Sequence, residues 1–183
     1  MDQGLIPRRY AKALFLLAAE KGKDADVYRA MSGLAAAFDA EPGLQKAISN
    51  PHVPAADKLA LVASATEADA AAAAMVADLM KLLEKNRRTE YLHAIALAYV
   101  DLYRTEHHIY KVDITSAAPL QPAELKRIQN LVTNHLPANA TAEFNEAVNP
   151  DLIGGFSIAI DNELLDASVA GDLKQLRLKL LSH

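Results

Sequence analysis

The sequence predicts two structural classes in one chain: an amino-terminal bundle of six helices, then a small α/β module of order β-α-β-β-α. Three observations carry this reading. Apolar residues recur at helical spacing up to about Thr105, and at strand spacing from about Ile109. Ala and Leu dominate an apolar share of 51%, aromatics make up 5% and Trp is absent, a composition suited to packed helices rather than a β-sandwich. Charge divides at the same place. Residues 1–105 carry 13 basic and 13 acidic side chains, while residues 106–183 carry 6 and 10, so the net charge of −4 belongs to the second part. The expected domains are therefore 1–105 and 106–183, joined near Thr105–Ile109.

In the first part, Pro7 opens a helix in which Tyr10, Ala13, Leu14 and Leu17 share a face, with Ala11 and Phe15 beside it. A second helix carries Val27, Met31, Leu34 and Phe38 and stops before Pro42. A short helical turn holds Leu44 and Ile48. Asn50, Pro51 and Pro54 form a rigid connector, and Pro54 opens a fourth helix with Leu59 and Val62. The fifth places Met75, Leu79 and Leu82 on one face, with Val76, Met80 and Leu83 alongside. Asn86-Arg87-Arg88 breaks it, and a sixth carries Leu92, Ile95, Tyr99 and Leu102. Six helices on short connectors read as a bundle.

In the second part, Tyr110, Val112 and Ile114 alternate with polar residues, the mark of a half-buried strand. Pro122 starts a helix with Leu125, Ile128, Leu131, Val132 and Leu136. A weak strand is expected around Ala142 and Phe144, and a clean one through Phe156, Ile158 and Ile160. Asp161-Asn162 turns the chain, and Glu163 to Leu165 returns as an optional further strand. Ser168 caps a last helix.

Composition excludes several function classes. With net charge −4 and a pI near 5.8, the basic footprint of a nucleic-acid binder is missing. Without Cys there are no disulfides, thiolate metal sites or thiol nucleophile. Arg8-Arg9 before the apolar run Ala13 to Ala19 resembles an export signal. The run is short, however, Lys12 adjoins it, and EKGKD follows without a small-residue cleavage site, so it reads as the first helix of a soluble, cytoplasmic chain. The longest all-apolar run elsewhere, Ala70 to Ala77, is far too short to span a bilayer.

The sequence offers little catalytic chemistry. Gly154-Gly155 is the only glycine pair, but a phosphate loop follows a strand and opens a helix, whereas this pair precedes a strand and lacks the lysine. A bulge or tight strand entry is the simpler reading. His107 and His108 adjoin at a helix end, where side chains diverge by about 100°. Asp166 and Ser168 lie close together, yet no His at a telling spacing completes a nucleophile set. The expectation is a non-enzyme without cofactor or metal. What stands out is apolar surface. Val169, Leu173, Leu176 and Leu180 form one stripe of the last helix, with Leu178 and Leu181 off it, and a module of this size cannot cover them all. Such faces are either grooves for partner helices or a generous core, and the residues alone leave both open.

Several segments, in order, resemble one family: RRYAKALFLLA, NPHVPAADK, LLEKNRRTEYL, VDITSAAPL and NPDLIGGFSIAIDNELLDASVAGDLKQL. Together they are similar to the delta subunits of bacterial F-type ATP synthases, counterparts of the mitochondrial oligomycin-sensitivity-conferring protein, over nearly the whole chain. The last segment places Gly154, Gly155, Asp166 and Ser168 at the family's signature positions. Arg87, Thr89, Ala159, Asp161 and Ala167 depart from its usual residues. The resemblance implies a stator subunit at the cytoplasmic face of the bacterial inner membrane, joining the catalytic head to the peripheral stalk. The helical part would bind the amino-terminal helix of an alpha subunit through Tyr10, Ala13, Leu14, Leu17, Met75, Leu79 and Leu82. The module would bind b-type stalk helices through Leu173, Leu176, Leu178, Leu180 and Leu181. The glycine pair, Asp166 and Ser168 would be structural. The alternatives are a free-standing helix-binding adaptor or regulator, and an α/β enzyme using the glycine pair.

Overall fold

The computed structural model describes residues 4–50, 52–66, 69–137, 139–161, 163–171 and 173–174. The chain divides into two compact units, Met1–Arg104 and Thr105–His183. It is mostly helical, with one small mixed sheet.

The first unit contains α1 (Leu5–Glu20), α2 (Asp24–Ala40), α3 (Pro42–Ser49), α4 (Ala55–Ala65), α5 (Ala70–Lys85) and, after a 3₁₀ turn at Thr89–Tyr91, most of α6 (Leu92–Glu106). Helix α1 starts two residues before Pro7. That proline sits in the first turn, where its missing N–H has no intrahelical acceptor to lose. Pro42 and Pro54 do stand at helix starts, Pro54 as the N-cap of α4. Helices α1 and α5 end alike. After α1, Gly22 takes φ +62, Gly22 N–H donates to Ala19 O and Lys23 N–H to Ala18 O. After α5, Arg87 takes φ +53, its N–H donates to Glu84 O, and Arg88 N–H donates to Leu83 O. Both are Schellman closures, and the second is built without glycine.

The core of this unit comes from the stripes that periodicity marks. Met31, Leu34, Ile48, Met80, Leu83, Leu92, Ile95 and Tyr99 are fully buried. Tyr28 stacks on Tyr103 at 4.3 Å between centroids, and Phe15 tilts against Tyr99 and Tyr103. The Tyr99 hydroxyl donates to Asp24 O, and burial pushes its pKa upward.

The second unit holds β1 (Ile109–Ser116), α7 (Pro122–His135), β2 (Thr141–Val148), β3 (Gly155–Ile160) and β4 (Glu163–Ser168). Sheet order is β2-β1-β3-β4, with β1 and β2 parallel and the other pairs antiparallel. Parallel neighbours need a crossover, and α7 supplies it. Val112, Ile114, Ile128, Val132 and Ile158 form the core, with Leu125, Phe144 and Phe156 packed against it.

Two elements differ from the sequence expectation. The weak strand near Phe144 is a full eight-residue partner of β1. The optional return is a complete strand that runs on to Ser168, so the sheet has four strands. Both lie at sheet edges, where one neighbour and partial burial leave a faint apolar alternation. Helical residues resume at 169–171.

Candidate partner-binding sites

Helices α1 and α5 pack together in the first unit. Between them runs an apolar groove of about 180 Å³, lined by Tyr10, Ala13, Leu14, Leu17, Met75, Asp78, Leu79 and Leu82. The spacing of three and four places these side chains along one seam of each helix. They do not play one role. Leu14, Met75 and Leu79 are buried and form the floor. Ala13, Leu17 and Leu82 are exposed along the rims, Leu82 at 47%, and Tyr10 is half-buried at one end. Three of the seven residues singled out from the sequence are therefore core as well as groove. Asp78 adds a charge at the edge, paired with Lys81 at 3.0 Å.

The end of the groove is fixed from the turn after α5. Asn86 Nδ2 donates to the Tyr10 hydroxyl at 3.2 Å and Arg88 Nη1 donates to the same oxygen at 3.3 Å. The Arg88 guanidinium also lies 6.0 Å from the Tyr10 ring centroid. The chain break at Asn86-Arg87-Arg88 thus has a second task, orienting the aromatic that closes the groove.

In the second unit, Gly155 begins β3 at φ +77, and a Cβ there would run into the Ala167 carbonyl of β4. A Cβ on Gly154 would lie 3.0 Å from Val169 Cγ2. Gly154 O accepts from Val169 N–H, and Gly155 O accepts from Ala117 N–H. The pair is a tight strand entry stitched to two neighbouring segments, and its N–H groups do not line a helix start. Beyond it, Ser168 N–H donates to Asp166 Oδ1 at 2.9 Å, and Gly171 N–H donates to Ser168 Oγ at 3.0 Å. The Ser168 hydroxyl, and then its N–H, hold the Asp166 carboxyl below its usual pKa. Ser168 therefore ends β4 and caps the helical residues after it.

Of the leucines expected at the stalk, Leu173 is 52% exposed, while Leu176, Leu178, Leu180 and Leu181 lie outside the described residues. A feature that sequence reasoning missed is an apolar cavity of about 470 Å³ between α7 and the β3–β4 hairpin. Leu131, Leu164 and Leu165 border it, each more than 60% exposed. The consecutive leucines of ELLDAS were the available signal, since neighbouring strand residues point to opposite faces and both cannot enter one core. Among the described residues, no three His, Asp or Glu side chains are grouped to hold a metal ion, and no helix is long and apolar enough to cross a membrane.

Comparison with known proteins agrees with this architecture. The family model described as ATP synthase delta (OSCP) subunit matches residues 6–180. The chain is 34% identical to "ATP synthase subunit delta" of Bacteroides thetaiotaomicron over 97% of its length and 94% of the relative's. It is 36% identical to the protein of that name from Parabacteroides distasonis, covering 100% and 99%. Among solved structures it is similar in fold to a chain of the Toxoplasma gondii mitochondrial ATP synthase hexamer, with a TM-score of 0.69, 24% identity and 96% and 97% coverage. The chain belongs to the ATP synthase delta (OSCP) subunit family.

Proposed function

We propose that the two units act as the two ends of a mechanical link. As a delta-family member the chain is a non-catalytic stator subunit. In this reading the first unit is a six-helix bundle that holds an amphipathic helix, the amino-terminal segment of an alpha subunit, in the α1–α5 groove. The second unit is a β-α-β-β-β module closed by a helix, and it holds the b-type helices of the peripheral stalk. The link resists rotor torque at the cytoplasmic face of the bacterial inner membrane, so that proton flow drives ATP synthesis. The observation that carries this is the groove itself: exposed Ala13, Leu17 and Leu82 over a floor of Leu14, Met75 and Leu79 suit the apolar face of a helix.

The test is co-isolation. A tagged chain should retain alpha and b-type subunits from solubilised membranes, and a fragment ending at Arg104 should retain alpha alone. Retention of b-type subunits by that fragment would reverse the assignment of the two units.

A further inference from the structure

The first unit has a second cavity, of about 540 Å³, lined by Ser49 at the end of α3, Lys58 of α4, Glu84 of α5, and Arg87 and Thr89 of the following turn. We propose that it binds a carboxylate side chain, Asp or Glu, of a partner protein.

Lys58 carries the argument. Only 4% of its surface is exposed, yet among the described residues it makes no ion pair and no side-chain hydrogen bond. The stem is covered by the fold while the ammonium opens on the cavity, so the charge is held in place and left available to an anion. The Ser49 hydroxyl is turned to the backbone, donating to Gln45 O at 2.8 Å.

Arg87 adds a second cation at an unfavourable place. Its φ of +53 suits glycine, which is what α1 uses at the equivalent position, Gly22. An arginine held there gives up conformational freedom and sets a guanidinium at the cavity wall. Against Lys58 and Arg87 stands Glu84 alone, so the wall carries one surplus positive charge. That matches a monocarboxylate better than a phosphate dianion, and Arg is suited to grip a carboxylate bidentately. The volume far exceeds a lone small ion, since a water fills about 30 Å³ of liquid, so there is room for a side chain on its backbone. The site is separate in chemistry from the apolar groove but shares its turn. Asn86 and Arg88 reach Tyr10 while Arg87 faces the cavity.

The test titrates isotope-labelled full-length chain with three probes, read by amide chemical shifts: acetyl-Ala-Glu-Ala-amide, its Gln counterpart and inorganic phosphate. The Glu peptide should shift Lys58, Arg87 and Thr89 saturably, and the Gln peptide should bind at least about tenfold more weakly. Arg87→Gly should weaken the Glu peptide about tenfold while the thermal midpoint holds or rises, because glycine suits that backbone. Lys58→Met, checked for folding by circular dichroism, should do the same, and Arg87→Lys should keep part of the binding. Equal binding of the Glu and Gln peptides, tighter binding of phosphate, or unchanged binding in Arg87→Gly would each overturn the proposal. So would the absence of saturable shifts at roughly 10 mM peptide.

Discussion

Asn86 donates its side-chain amide to the hydroxyl of Tyr10, 76 positions earlier in the chain, at 3.2 Å. With Arg88 on the same oxygen, the turn after α5 holds the aromatic that closes the α1–α5 groove. Tyr10→Phe keeps the ring and removes the acceptor. These bonds are exposed, so stability should fall by less than about 1 kcal/mol, while affinity for a helical alpha peptide drops several-fold as the ring loses its fixed position. Calorimetry of Tyr10→Phe, Asn86→Ala and the double variant checks this. Strictly additive losses in binding would show that the two residues do not act as a unit.

Ala13 separates groove from core. It is exposed, whereas Leu14 beside it is buried. Ala13→Glu should weaken the alpha peptide by tenfold or more, about 1.4 kcal/mol, with little change in melting temperature. Leu14→Ala should instead cost about 2–5 kcal/mol of stability, since it hollows the floor. A chain that unfolds on Ala13→Glu would place that position in the core.

Gly155→Ala tests the strand entry. The new methyl meets the Ala167 carbonyl at a backbone angle that alanine avoids. The loss should exceed about 1 kcal/mol, seen in the urea unfolding of the second unit, with the first unit's transition unchanged. Gly43→Ala, with open space around its Cβ position, is the control. Equal effects at the two positions would refute the steric account.

Much of the helical unit was legible because its signal is local. Spacings of three and four mark a buried stripe wherever the helix packs, and Met31, Leu34, Ile95 and Tyr99 lie where that rule puts them. The same rule also picked out the groove residues. It could not separate Leu14, Met75 and Leu79 from Ala13, Leu17 and Leu82, because exposure depends on what a neighbouring helix covers. Long-range polar pairing was invisible. Nothing in EKNRRTE signals that Asn86 and Arg88 meet Tyr10 or that Arg87 faces a cavity with Lys58. The edge strands β2 and β4 were faint because their order comes from backbone bonds to one neighbour, which any sequence can make.

Asp166 gives the second unit a pH dependence of known sign. Its folded pKa is below the ordinary value, chiefly through the Ser168 hydroxyl. A depressed carboxyl pKa adds stability in full above the unfolded value, about 3.9, and that stability is lost as pH falls through the lower folded value. Asp166→Asn removes the titrating group. Urea midpoints of the wild type should therefore fall from pH 6 to pH 3 more than those of the variant. Identical acid limbs would mean that the Asp166–Ser168 bonds do not contribute.

The last prediction concerns the carboxy-terminal leucines. Truncation after Gly171 removes Leu173, Leu176, Leu178, Leu180 and Leu181 but spares Ser168 and the Gly171 N–H that it caps. A leucine side chain contributes about 2 kcal/mol when fully buried, so even partial use of five at an interface is decisive. The truncated chain should lose the b-type stalk helices and keep the alpha peptide, because the α1–α5 groove lies wholly in the other unit. In membranes, ATP hydrolysis by the head should then persist while proton pumping is lost. Two milder variants separate loss of the surface from loss of the fold. Leu181→Glu alters the removed segment, and Leu131→Glu alters the exposed border of the α7–hairpin cavity. With circular dichroism unchanged, weaker stalk binding in Leu181→Glu alone assigns the interface to the terminal segment. Weaker binding in Leu131→Glu alone moves it to the cavity, and normal binding by the truncated chain removes the leucines from the interface.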